Sequence, residues 1–190
     1  MAYVGGIAGS CFANVTNCTN TGDVEGSGTY GVGGIIGITT SQYSVTVKGC
    51  YNTGNITSTL KGYAYVGGIV GSFPNANARG TIEDCYNTGT VTADPTSSYC
   101  SGGLLGGGYG NIYDSFNTGT VIGNTFVGSV GGFVSGNVEN CYYLRGSASV
   151  GVENASDDAK DEGSFTEMSA DDMTGPSALT NMKLDNTVWT

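Results

Sequence analysis

The side chains of this 190-residue chain that could do chemistry are six cysteines, sixteen carboxylates, twelve tyrosines, six phenylalanines and one tryptophan. Histidine is absent. Without an imidazole, neither a Ser-His-Asp or Cys-His nucleophile nor an HExxH zinc site can be assembled. Four cysteines, Cys18, Cys50, Cys85 and Cys141, recur at one point of a repeated pattern, and Ser115 stands there once. Ligands strung along a line cannot converge tetrahedrally on zinc. Stacked in register about 4.8 Å apart, they are within disulfide range but point in parallel. A column of reduced, buried thiols is expected, and disulfides through Cys11 or Cys100, which lie outside the column, are the alternative.

Asp84 and Asp114 also share a position in successive copies. Two carboxylates about 5 Å apart form the pair of a retaining glycosidase. Neighbouring copies carry Asn17, Gly49 and Asn140 there, so solvated corner acids are the plainer expectation. One residue after each cysteine comes a ring: Tyr51, Tyr86, Phe116 and Tyr142. Adjacent strand positions face opposite ways, so if the thiols point inward the rings point outward. Such a ladder could stack on sugars or dock a protein, or the rings could simply cover one another. No catalytic residue, cofactor or metal site is expected.

These residues recur because the chain repeats. A Gly-Gly pair followed by two apolar residues occurs at Gly5-Gly6-Ile7-Ala8-Gly9, Gly33-Gly34-Ile35-Ile36-Gly37, Gly67-Gly68-Ile69-Val70-Gly71, Gly102-Gly103-Leu104-Leu105-Gly106 and Gly131-Gly132-Phe133-Val134-Ser135. Downstream comes a Cys-aromatic-Asn-Thr-Gly block, clearest at Cys50-Tyr51-Asn52-Thr53-Gly54 and Cys85-Tyr86-Asn87-Thr88-Gly89. Apolar residues lead it (Val15, Val47, Ile82, Ile112, Val138) and trail it (Val24, Ile56, Val91, Val121). Short β-branched runs punctuated by glycine predict strands, about three per copy, with inserted loops at residues 38–44 and 73–80. An all-β, parallel, right-handed β-helix follows, its five coils near residues 3–30, 31–65, 66–100, 101–126 and 127–146. At about 4.8 Å per coil the rod is roughly 25 Å long.

These motifs resemble the GLUG-motif repeats of large bacterial surface proteins, including adhesin-like proteins and accessory regions of IgA-specific metallopeptidases. The resemblance covers roughly residues 3–146. It implies a non-enzymatic, adhesin-like stalk or interaction surface for host protein or glycan, monomeric as one domain of a larger extracellular or cell-surface chain. A polysaccharide-active or carbohydrate-binding β-helix and a pure structural spacer are the rival readings.

Charge fits a scaffold. Six Lys and Arg against sixteen Asp and Glu give no footprint for nucleic acid or an anionic membrane. No apolar stretch is long enough to span a bilayer. The chain opens directly into a repeat, so it reads as a segment whose signal peptide and anchor lie outside it. Residues 147–190 hold nine of the acids and two lysines, and read as an acidic linker and C-terminal cap. Within them, residues 157–162 lack the residue order of a calcium loop and read as a solvated linker. Residues 166–173 predict a short helix ended near Gly175-Pro176. Met182, Leu184, Val188 and Trp189 supply an apolar set for capping the open end of the rod.

Overall fold

The computed structural model describes residues 2–27, 29–39, 42–96, 99–155, 165–185, 187 and 189. Each of the first four coils supplies five very short strands rather than three, one to each of five parallel sheets, and the fifth coil supplies four. In the third coil these are Tyr65–Gly67, Val70–Phe73, Gly80–Glu83, Tyr86–Asn87 and Val91–Ala93. The Gly-Gly pair and the corner before the cysteine cut runs that read as continuous in sequence. Every strand pairs with its counterpart one coil away, as Ile82 does with Val47 and Ile112. The result is a parallel β-helix.

Stacking like upon like produces two apolar cores. One holds the columns Ile35, Ile69, Leu104 and Val130, then Val47, Ile82, Ile112 and Val138, with Cys50, Cys85 and Cys141. The other holds Val32 and Val66 with Ile56, Val91 and Val121. Between them runs a column of asparagines, of which Asn52, Asn87 and Asn117 are fully buried. Burying an amide is costly unless its hydrogen bonds are made. Here Nδ2 of Asn52 and of Asn87 each donates twice, and that of Asn117 donates to the Gly119 carbonyl at 2.8 Å. Asn52 gives one bond to the Gly54 carbonyl and one to Oδ1 of Asn87, both at 2.7 Å. Asn87 repeats this with Gly89 at 2.8 Å and Asn117 at 2.9 Å.

The second glycine of each pair makes room for that amide. A Cβ on Gly68 would stand 2.1 Å from the Gly103 carbonyl oxygen and 2.4 Å from Cγ of Asn87. Gly34 meets Asn52, and Gly103 meets Asn117, in the same way. The two halves of the repeat motif are therefore one interlock across the coil, glycine on one wall and asparagine on the other.

The register corrects the fifth copy. Gly102 pairs with Gly128, and Leu105 with Gly131. The structural equivalent of Gly102-Gly103-Leu104 is therefore Gly128-Ser129-Val130, not Gly131-Gly132-Phe133. From this position to the cysteine column is then 12 residues, as in the first and fourth coils.

The array also passes residue 146. Val152–Ala155 pairs with Gly131–Val134, and Phe165–Met168 with Cys141–Leu144, adding a sixth strand to two sheets. Part of the helix expected over residues 166–173 is thus a strand, because a free sheet edge offers those residues a ladder that a lone helical turn cannot match. Asp172 N–H donates to Ser169 Oγ at 3.2 Å, which closes a single turn. A four-residue helix, Ala178–Asn181, follows Pro176 instead. Residues 157–162 and Val188 lie outside the described residues.

The interlock makes a sharp prediction. Asn87→Ala strips partners from Asn52, Asn117 and the Gly89 carbonyl, and should cost about 3 kcal/mol in urea unfolding. Thr88→Ala, one residue away but exposed, should stay within about 0.5 kcal/mol.

Candidate functional site

The site residues lie on one corner and the sheet beside it. Asn17, Gly49, Asp84, Asp114 and Asn140 all adopt left-handed backbone, with φ between 47° and 63°. Glycine, asparagine and aspartate are the residues that tolerate this region. Their alternation at this position is thus a backbone requirement. The acids are used locally: Asp84 is 3.2 Å from Lys48 Nζ, and Asp114 Oδ1 accepts from Asn140 Nδ2 at 3.1 Å.

Immediately after the corner, the thiol column tethers each coil to the next. Cys50 N–H donates to Sγ of Cys85 at 3.4 Å, and Cys85 N–H to Ser115 Oγ at 3.0 Å. Each of these groups donates in turn to the carbonyl two residues back: Cys85 to Glu83 at 3.1 Å, Ser115 to Tyr113 at 2.6 Å and Cys141 to Glu139 at 3.3 Å. A hydroxyl can do both jobs, which explains Ser115. Cys18 begins the column, and all six cysteines are free. Burial pushes the Cys85 thiol well up and the Cys141 thiol to about 12.

The ring column is a true stack. Tyr51 and Tyr86 lie 4.7 Å apart at 4°, and Tyr86 and Phe116 5.1 Å apart at 4°. It is not exposed along its length. Met173, Ala178, Met182 and Leu184 of the tail bury Tyr142 to 5% exposure, with Phe116 packed against the same cluster. Trp189 tilts over both Tyr86 and Phe116, at 5.7 and 5.3 Å. The outward ladder expected of Tyr51, Tyr86, Phe116 and Tyr142 is therefore half covered, because an apolar column on an outer face attracts the chain's own apolar segment. Tyr51 and Tyr86 remain partly exposed. With Asn17, Gly49, Cys50, Asp84 and Trp189 they line a cleft of about 340 Å³.

Sequence reasoning missed a second aromatic group. Tyr65 sits edge-to-face with Tyr30 at 5.2 Å and Tyr99 at 4.5 Å, and Tyr99 meets Tyr63 at 5.3 Å. Burial and hydrogen bonding to Tyr99 and Tyr30 push the Tyr65 phenol far up. The signal was a tyrosine two or three residues ahead of the Gly-Gly pair in four copies: Tyr3, Tyr30, Tyr65 and Tyr99.

The first coil of this parallel β-helix, residues 2–25, matches the GLUG motif. Halomucin of Haloquadratum walsbyi is 40% identical over 80 residues, which is 40% of this chain and 1% of halomucin. The crystal structure of a candidate immunoglobulin A1 protease from Bacteroides ovatus superposes with a TM-score of 0.62 at 25% identity. That match covers 88% of this chain and 52% of the other. The chain thus spans about half of the one relative and a very small part of the other.

Two outcomes follow. At pH 8.5, iodoacetamide should alkylate Cys11 in the native protein while Cys85, Cys100 and Cys141 react only after unfolding, as peptide mapping would show. Met182, a tail residue 2% exposed against the aromatic column, should release that segment when changed to aspartate, raising dye binding to exposed apolar surface and lowering the thermal midpoint by several degrees.

Proposed function

We propose that this chain is a non-enzymatic β-helical segment of a large surface or secreted protein, serving as an adhesin-like stalk or interaction surface for host protein or glycan. One observation carries the reading: the tail buries the aromatic column at Tyr142 and packs against Phe116, while Tyr51 and Tyr86 stay partly exposed beside a cleft with polar walls. Aromatic rings with nearby polar groups are the usual anchors of recognition surfaces. The relatives support the setting: halomucin is far longer than this chain, and the superposed neighbour is a candidate immunoglobulin A1 protease.

A carbohydrate-active reading would need Asp84 and Asp114 as a catalytic pair. Both are corner residues in left-handed backbone, and each is engaged by a neighbour, Lys48 or Asn140. Their carboxylates support the coil, and the non-enzymatic reading rests on that use.

The test is a binding screen of the full chain against immobilised extracellular-matrix proteins and glycans. Tyr51→Thr with Tyr86→Thr uses the residue type already present at Thr19 in the same column, so the strand is kept. Binding should fall at least tenfold with the circular dichroism spectrum unchanged. Undiminished binding would remove this face as the interaction surface.

A further inference from the structure

The aromatic stack has one open end. Toward the C-terminus Trp189 and the tail close it. Toward the N-terminus the strand partner of Tyr51 is Thr19, which places no ring there. Among the described residues Tyr51 stacks only on Tyr86, so its other face has no aromatic neighbour. A ring-shaped ligand would continue the column at that point.

The walls beside this face are polar and shaped. Of the five corner residues, only Gly49 lacks a side chain, and the gap forms part of the cleft. Asn17 leans across it, with Oδ1 2.5 Å from where a Cβ on Gly49 would stand. On the other side Asp84, itself only 8% exposed, is held by Lys48 at 3.2 Å. Trp189 also lines the cleft.

We propose that this cleft binds a neutral pyranose, its apolar face stacked on Tyr51 and its hydroxyls bonded to the Asn17 amide and the Asp84 carboxylate. Ring faces select flat apolar surfaces, and an amide paired with a carboxylate suits vicinal hydroxyls, which both donate and accept. A volume of about 340 Å³ lies at the small end of ligand pockets and suits one sugar unit. The acid in the wall and the net charge of -10 disfavour sulfated or carboxylated sugars. This proposal rests on the reading of the aromatic column as the interaction surface, and it adds the ligand class. Trp189 makes the tail part of the site.

Trp189 is the chain's only tryptophan, so its emission reports on the cleft directly. The full chain is titrated with methyl glycosides of glucose, galactose, mannose and N-acetylglucosamine and with their β-linked oligomers. At least one should give a saturable change in emission. Tyr51→Thr and Gly49→Asn should each weaken it at least tenfold. Gly49→Asn fills the cleft while keeping a residue that Asn17 and Asn140 show to fit this corner. If Gly49→Asn fails to fold, Asn17→Gly, which removes the amide and keeps the backbone, should give the same loss. No response to any saccharide, or a response untouched by these variants, overturns the sugar site. If, in addition, an enzymatically deglycosylated matrix protein binds and loses affinity on Tyr51→Thr, the interaction surface stands and only its ligand class falls. If neither saccharide nor protein binding depends on Tyr51, both readings fall together.

Discussion

The buried asparagine ladder is the constraint on which the rest of the structure depends. An amide in an apolar core is tolerated only where its donors and its acceptor are met. Asn52 and Asn87 reach that condition solely when the next coil sits in one register, with Oδ1 above Nδ2 and a glycine opposite. Apolar columns alone would accept a slip along the strand at modest cost; the amides would not. The ladder thus sets the register that brings thiol over thiol, corner over corner and ring over ring.

Function follows from the same stacking. A position that recurs once per coil becomes a continuous line on the rod, so a single outward aromatic choice generates a four-ring column. Such a column is sticky, and the chain spends its own tail on the C-terminal end of it. Where the column breaks off, at Thr19, and where one corner lacks a side chain, at Gly49, the regular surface gives way to a cleft. Irregularities in a repeat are where specific recognition can be housed, because the regular positions are already committed to holding coils together.

Much of this was legible in the sequence. The β-helix, its columns and the inward and outward parity of Cys50 and Tyr51 follow from β-branched runs, glycine spacing and strand alternation. Three features were not. Gly131-Gly132 imitates the repeat motif three residues late, and only pairing of Gly128 with Gly102 reveals that Ser129 holds the glycine position. Phe165–Met168 carries local signals for a helix, and the sheet edge left by Cys141–Leu144 overrides them. The docking of Trp189 onto Tyr86 and Phe116 joins residues about seventy to a hundred positions apart, and no local pattern encodes it. The corner acids read in sequence as solvated corners rather than a catalytic pair; the left-handed backbone gives the reason for their position, and Asp84 departs from that reading in being buried.

Amide hydrogen exchange on the full chain tests the central claim most directly. The N–H groups of Thr53, Thr88 and Thr118 each donate at 2.9 Å to the carbonyl of the asparagine in the preceding coil, so they report on the ladder itself. If the ladder sets the register, those of Thr88 and Thr118 exchange among the slowest in the protein and do so together, with Thr53, nearer the first coil, somewhat faster. Exchange of Thr88 and Thr118 as fast as the loop at residues 74–79 would contradict the account.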